Sequence, residues 1–535
     1  MQIEANLVDL KQQKIYPAQI TIKENKIQKI TPIKQECDTY ILPGFIDAHI
    51  HIESSMLPPS SFAKLAIQHG TVATVSDPHE IANVLGIKGV EYMIANAQET
   101  PFKIYFGASP CVPATPFETS GATLTPKEIE KLLQNDAIYY LSEVMNFPGV
   151  INDDPDMLAK IALAKKANKP IDGHAPNLRG DDLQKYIDAG VQTDHEAFSY
   201  EEAKEKLQRG MKIQIREGSA AKNYEALHPL IDDFYENLMF CSDDRHPNDL
   251  VKEHINSLVK RAIKDGHDLF KVLQIASVNP IKHYNLDVGM LQEGDNADFI
   301  IVQDLQNFTI LRTFINGECL FEHGKTNLPV STIETPNNFH TTPKEPKDFL
   351  LKQTCQEYRV IQAFDGQLIT KEIHKTDRTL QQEDTLFISV VNRYADTPPT
   401  VALIQGFGLK EGAIASSVAH DSHNIVAVGR DPQSLAKAVN TIIASKGGIC
   451  AINTNGKIEH LPLDIAGLMS TQDGLTVAKQ YETIDKFTKE QLGSTLQAPF
   501  MTLSFMALLV IPELKLSDKG LFDANSFHFT QECII

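Results

Sequence analysis

Two imidazoles stand two residues apart in the stretch from Ile41 to Met56, ILPGFIDAHIHIESSM. Side chains two apart on a β-strand share a face. His49 and His51 therefore point the same way, and Ile50 points the other. Such a pair supplies half of a metal site. By itself a His-x-His is weak evidence, because the spacing is common on surfaces. More residues of the same kind follow: Glu143 in Ser142-Glu143, His174 in Asp172-Gly173-His174, His195 in Asp194-His195-Glu196, and Asp243 in Ser242-Asp243-Asp244. Each alone is equally well explained as a turn cap or a hydrogen-bonded core histidine. Together they are four imidazoles and two carboxylates without a thiolate, a nitrogen and oxygen set that suits Zn, Mn or Fe.

The elements that must position them come from a repeating alternation. Helical stretches at Pro59 to His69, Ile81 to Ala97, Pro126 to Leu133, Met157 to Lys166, Asp182 to Ala189, Tyr200 to Gln208 and Leu227 to Phe234 separate short apolar strands. The strand patterns fall at Ile46 to Ile50, Thr71 to Val75, Lys103 to Phe106, Ile138 to Leu141, Pro170 to Ile171, Val191 to Thr193, Lys212 to Ile215 and Leu238 to Cys241. Eight strands alternating with helices predict an α/β fold, a (β/α)8 barrel. In such a barrel all strand ends of one sense share a face. Residues far apart in sequence can then form one site.

Flanking segments give the rest of the organisation. Residues 1–42 read as short strands interrupted at Pro17 and at the turn Lys23 to Lys26. Residues 285–335 read as further strands around Asn316-Gly317, pairing with the first set to make a small β-sandwich domain. The barrel would span 43–284. A Pro-, Thr- and Asn-rich stretch, 327–348, reads as a linker. An additional C-terminal α+β domain would occupy 349–535, with strands at Leu386 to Asn392, Ile425 to Gly429 and Ile449 to Ile452 and a helix at Pro432 to Ser445.

Composition excludes several classes. The chain has 535 residues, enough for several domains. A formal net charge of -19 argues against a nucleic-acid backbone binder. Seven scattered cysteines without a CxxC pattern argue against a disulfide scaffold and suit a reducing compartment. The first residues lack a signal-peptide pattern. The run Phe500 to Ile511 is too short to span a bilayer. The expectation is a cytoplasmic protein with no membrane partner.

The run PGFIDAHIH resembles the first-strand motif of the amidohydrolase superfamily, and SVNPIKHYNLDVGMLQEGDNADFIIV resembles its closing segment. The finer pattern is similar to the bacterial adenine deaminase family: HIHIESSM, VSDPHEIANVLG, SEVMNFPGV, DGHAP, TDHEAF, REGSA, CSDDRHP, HDSHNIVAVG, SKGGI and MTLSFMALLVIPELK. The resemblance runs through the whole chain. It implies that His49 and His51 bind a first divalent metal. Glu143 would bridge to a second, His174 and His195 would bind that second ion, and Asp243 would bind metal and carry protons. The implied reaction is hydrolytic deamination of adenine to hypoxanthine and ammonia, in purine salvage, by hydroxide attack at C6. A bridging carboxylate leans the metal pair toward Mn or Fe, with Zn as the alternative. The resemblance also implies a homo-oligomer with a small-molecule purine substrate.

Other polar residues carry two readings each. Glu217 either protonates or hydrogen-bonds the purine or forms an ion pair with Arg216, itself a substrate-contact candidate. Asp77 and His79 either touch substrate or cap a turn. Asp244 and Arg245 either position the base or orient Asp243, and Ser142 either supports a ligand or simply ends a strand. In the last region His420 and His423, three apart, suit a further metal, a substrate pocket or a polar turn. Gly447-Gly448 reads as a tight turn. The competing functions are another amidohydrolase acting on a cyclic amide or N-acyl group, and a non-catalytic binding protein on the same barrel.

Overall fold

The computed structural model describes residues 1–219, 221–376 and 384–534. The last residue of the REGSA motif, Ala220, lies outside the described residues. The chain divides into two units. The first comprises Met1–Pro78, Glu91–Cys111 and Leu124–Thr332, and the second His79–Val90, Val112–Thr123 and Ile333–Ile535.

In the first unit, β1 (Gln2–Asp9), β2 (Lys14–Lys23), β3 (Lys26–Pro32) and β4 (Tyr40–Pro43) open the chain. Glu24 and Asn25 both take positive φ, 52° and 65°, and close the β2–β3 hairpin in two residues. β2 runs through Pro17 instead of stopping there. Its missing N–H falls beyond the register with β3, which ends opposite Ala18. The barrel strands follow: β5 (Phe45–His51), β6 (Thr71–Ser76), β7 (Lys103–Ala108), β8 (Ile138–Val144), β9 (Ile171–Gly173), β10 (Thr193–Asp194), β11 (Lys212–Arg216), β12 (Leu238–Cys241) and the short β13 (Asp243–Asp244).

These strands pair in parallel in the orders β13-β5-β6-β7-β8-β9 and β10-β11-β12. The two sheets join into a ring. The Gln192 N–H donates to the Ile171 carbonyl at 2.9 Å on one side. On the other, β13 continues from β12 and pairs with β5. This is a (β/α)8 barrel. Gly44 marks its entry, because a side chain there would lie 2.3 Å from a methyl of Val72. The expected helix Ile81 to Ala97 is two helices, His79–Leu85 and Ile87–Ala97, broken at Gly86 with φ 62°.

After the barrel come β14 (Phe299–Val302), β15 (Ile310–Ile315), β16 (Glu318–Glu322) and β17 (Lys325–Thr326). They join the N-terminal strands in one mixed sheet, ordered β17-β16-β15-β14-β4-β1-β2-β3. β4 is the seam, parallel to β1 and antiparallel to β14. Ile3, Ala5, Leu7, Ile20, Phe299 and Phe314 build the core of this layer.

The second unit holds β18 (Glu357–Ala363), β19 (Thr370–Thr376), β20 (Thr385–Val391), β21 (Thr400–Gln405), β22 (Ala413–Ser416), β23 (Ile425–Gly429), β24 (Gly448–Ile452) and β25 (Ile458–Pro462). Their order is β19-β18-β21-β20-β23-β22-β24-β25. The helix Pro432–Ser445 is capped by Asp431, whose carboxylate accepts from the Ser434 N–H at 2.8 Å. Its apolar face, Leu435, Val439 and Ile442, packs with Ala415, Ile425 and Ala427 of the sheet. A small sheet of β26 (Leu514–Ser517), β27 (Gly520–Asp523) and β28 (His528–Phe529) closes the chain. Cys355 and Cys533 form a disulfide, against the expectation from the scattered cysteines. No helix among the described residues is long and apolar enough to cross a membrane.

Candidate metal centre and active site

His49 and His51 lie at the end of β5 on one face, as the alternation requires. Asp47, two residues earlier, shares that alternation and fastens the strand. Its carboxylate accepts from the Ser242 hydroxyl, from the Ser242 N–H at 3.0 Å and from His254 Nε2 at 2.8 Å. These bonds tie β5 to the end of β12 and so set the distance between His49 and Asp243. His51 Nδ1–H donates to the Asp77 carbonyl at 3.0 Å, and its Nε2 faces the cage. That nitrogen lies 3.3 Å from Glu143 Oε1 and 3.2 Å from Asp243 Oδ1.

Glu143, inward on β8, presents its two oxygens to different partners. Oε1 faces His51, while Oε2 faces His174 Nδ1 at 2.7 Å and His195 Nε2 at 3.2 Å. His174 follows β9 and is held by its backbone N–H, which donates to the Tyr186 hydroxyl at 3.1 Å. Tyr186 in turn donates to the Val144 carbonyl at the end of β8. His195 follows β10 and stacks on His49 with ring centroids 4.2 Å apart. Asp243 adopts φ 54°, a conformation uncommon for a residue with a Cβ, where β13 turns back onto β5. This kink brings Oδ1 within 3.6 Å of His49 Nε2.

The six predicted ligands thus converge, with donor atoms of His49, His195 and Asp243 and of Glu143, His174 and His195 each grouped within 4.8 Å. His49 is fully buried, and neither ring nitrogen has a hydrogen-bond partner among the described residues. A buried imidazole with no hydrogen bond is costly unless another ligand takes its lone pair. The donor set and this orphaned ring both fit a divalent cation.

Charge in the cage supports the same fit. Burial raises the Glu143 carboxyl, but the His174 charge and the hydrogen bonds from the facing imidazoles outweigh it and hold it well below the usual range. For Asp243, burial is likewise overcome, chiefly by the Arg216 guanidinium. Burial opposes a proton on His174, yet Glu196 and Glu143 push its pKa up to about 9. Carboxylates that retain protons on neighbouring imidazoles would retain a cation in their place.

Of the remaining candidates, Asp77 groups with His51 and Glu143, and Asp244 with His51 and Asp243, each set within 4.8 Å. Arg216 is buried inside the barrel, paired with Glu196 and with Asp243 Oδ2 at 2.5 Å, so its guanidinium is committed to the cage carboxylates. Glu217 points away, because neighbours on a strand face opposite sides. Its carboxylate lies 3.2 Å from Arg261 and 4.0 Å from Lys222, so its ion pairs are with these two residues. Arg245 clamps the carbonyls of Glu217 and Glu253 at 2.9 and 2.8 Å and does not orient Asp243. Asp244 is beside His51 and Asp243 and accepts from the Ser54 hydroxyl at 2.5 Å. The Asp77 carboxylate accepts from Ser109, also at 2.5 Å. Ser142 is buried on β8. His79 belongs to the second unit, where its Nε2 lies 3.4 Å from Glu80. Sequence reasoning missed Asp47, legible only as part of PGFIDAHIH, and Glu196, which lies 3.6 Å from His195 Nε2. The signal for Glu196 was its place beside a strand-end histidine.

The ring of parallel strands with this cage at its carboxyl ends is the frame of the amidohydrolase class, and the amidohydrolase family model matches residues 40–320. A model of the adenine deaminase C-terminal domain matches residues 367–528. An adenine deaminase of Sulfurovum sp. is 63% identical over 533 residues, covering 100% of each chain. Adenine deaminases of Salinibacter ruber and Borreliella burgdorferi are each 51% identical, covering 99% and 98% of both chains. The chain belongs to the adenine deaminase family of amidohydrolases.

Proposed function

We propose that the chain deaminates adenine hydrolytically to hypoxanthine and ammonia, and that His49, His51, Glu143, His174, His195 and Asp243 hold a divalent metal pair for that reaction. The observation that carries the metal assignment is Glu143, whose two oxygens face two separate imidazole sets, as a bridging carboxylate would. The substrate rests on full-length relatives that bear that name. When bound, the metal pair supplies Lewis acidity that makes water nucleophilic near neutral pH.

The residues of the chain do the rest. Arg216 and the imidazoles keep Asp243 ionised, so it enters the reaction as a proton acceptor. Its Oδ1 takes a proton from the attacking water as the oxygen bonds to C6 of the purine. The ring nitrogen beside C6 receives a proton as the electron pair moves onto it. The new C6 hydroxyl then gives up its proton, which passes to the exocyclic amine; the amine leaves as ammonia and the C6 carbonyl of hypoxanthine forms. Asp243 is the shuttle for these transfers. Glu196, fixed on Arg216, sets the guanidinium that fixes Asp243.

The bridging carboxylate, a hard ligand, leans the pair toward Mn or Fe, with Zn as the alternative. Purine salvage in the cytoplasm is the role consistent with this reaction. The test is ammonia release from adenine by metal-depleted chain reloaded with Mn, Fe or Zn in turn, with a cyclic amide and an N-acyl substrate in parallel. Turnover of adenine by the Mn or Fe form is expected. Hydrolysis of the amides with adenine untouched would overturn the substrate assignment.

A further inference from the structure

Two of the cage imidazoles stand where the barrel's backbone ladder is interrupted. β9 and β10 belong to different sheets. Among the described residues the chain around them shares one backbone hydrogen bond, from the Gln192 N–H to the Ile171 carbonyl. Past that bond, side chains make the join. The Gly173 N–H donates to the Thr193 hydroxyl at 3.2 Å, and that hydroxyl donates to Asp172 Oδ1 at 2.9 Å. The Ala175 N–H donates to Asp194 Oδ1 at 2.8 Å. Buried backbone groups need partners, and here side chains supply what a ladder would have given. His174 lies between Gly173 and Ala175, and His195 directly follows Asp194.

Lys206 closes this join. It stands on the helix Tyr200–Gln208 and is fully buried, as is Asp194. Its ammonium donates to the Ala175 carbonyl at 2.6 Å, to Asp194 Oδ2 at 3.0 Å and to Glu202 Oε1 at 2.6 Å. An ammonium has three protons, and each has an acceptor. The same Glu202 oxygen accepts from the Asn177 N–H at 2.8 Å. One side chain therefore holds the residue after His174 and the residue before His195. It touches neither ring. Both rings face one oxygen, Glu143 Oε2, at 2.7 and 3.2 Å, and their centroids lie 5.2 Å apart. That spacing depends on how the two backbones are held, and Lys206 is the group that holds them together.

We propose that Lys206, paired with Asp194 and Glu202, is a positioning residue that sets the spacing of His174 and His195, and so the affinity for the ion that these imidazoles share with Glu143. The inference rests on the metal pair assigned above. Loss of a group that orients metal ligands costs about 10–100-fold in metal affinity. A lysine that only stapled a helix to the barrel would lower stability and leave that affinity unchanged.

The test is equilibrium dialysis of the metal-depleted full chain against graded free Mn, read as ions bound per chain. The wild type is expected to fill two ions. Lys206→Met is expected to fill the first at the wild-type concentration and to need about 10–100-fold more Mn for the second. Curves that superimpose on the wild type would overturn the proposal. Where Lys206→Met fails to fold, Asp194→Asn carries the test, because it keeps the side-chain shape and an oxygen for the Ala175 N–H but not the ion pair. A shift of the second step is expected there too, and an unshifted curve would overturn the proposal. Lys515→Met, which removes a buried lysine from the second unit, is the control and is expected to give the wild-type curve. An equal shift in that control would assign the effect to lost stability and overturn the positioning role. A wild type that fills fewer than two ions would instead overturn the metal-pair reading, and this inference with it.

Discussion

Glu143→Gln keeps the shape of the side chain but removes one of the two charges that the imidazoles share. The expected result is loss of most bound metal from the cage and of turnover, by at least about a hundredfold; metal analysis beside a steady-state assay measures both. Full activity with unchanged metal would rule out a bridging role. Asp243 and Asp244 differ in what they touch. Asp243 faces His49, His51 and Arg216, whereas Asp244 receives the Ser54 hydroxyl. Asp243→Asn should therefore lower kcat by about 10²–10⁴-fold, the range for a lost proton carrier, and Asp244→Asn far less. The reverse order would exchange their roles. Asn tolerates the left-handed conformation at this position, so the change tests chemistry with little backbone cost.

At the scale of elements, the barrel was legible because strands and helices alternate and polar residues collect where strands stop. The positions of the ligand candidates followed from that alone: His174 and His195 lie just past strands of three and two residues, each read from a short apolar stretch in its place between helices. What was not legible depends on contacts between strands. Glu196 gained its place only through Arg216, and Glu217 pairs with Arg261, from a helix beyond the last barrel strand. The helix break at Gly86 turns on one residue's φ, and the Cys355–Cys533 bond on two residues 178 apart.

Element packing also makes a pH prediction. Lys515 of β26 is buried, donating to the carbonyls of Leu368 and Phe505 at 2.8 and 3.1 Å. Burial lowers its pKa to about 7. The unfolded chain binds this proton up to about pH 10.4, so between the two values the unfolded state carries more protons. Stability should then rise with pH across that window, by up to about 1.4 kcal/mol per pH unit from this group, and Lys515→Met should remove that slope. Urea unfolding of both chains at pH 7, 8 and 9 measures it, and an unchanged slope would refute the assignment.

At the scale of the whole molecule, the disulfide ties β18 to the end of the described chain. Closing a loop of that length stabilises by at most about 5 kcal/mol through the unfolded state. Calorimetry with and without a reductant should show a lower Tm when the bond is opened, and Cys533→Ser should mimic the reduced form. Coincident melting curves for oxidised, reduced and mutant chains would mean that the bond contributes nothing.

The second unit draws on three stretches of chain, two of which are spelled out between barrel strands. No single scission separates one unit from the other. A gene fragment beginning at Ile333 would lack His79–Val90 and Val112–Thr123, so it would deliver a body missing part of its own interior. Ribosomal synthesis meets the same constraint, since those early pieces must wait for more than two hundred residues before their partners emerge. Evolution could exchange this C-terminal module only by rewriting barrel loops at the same time.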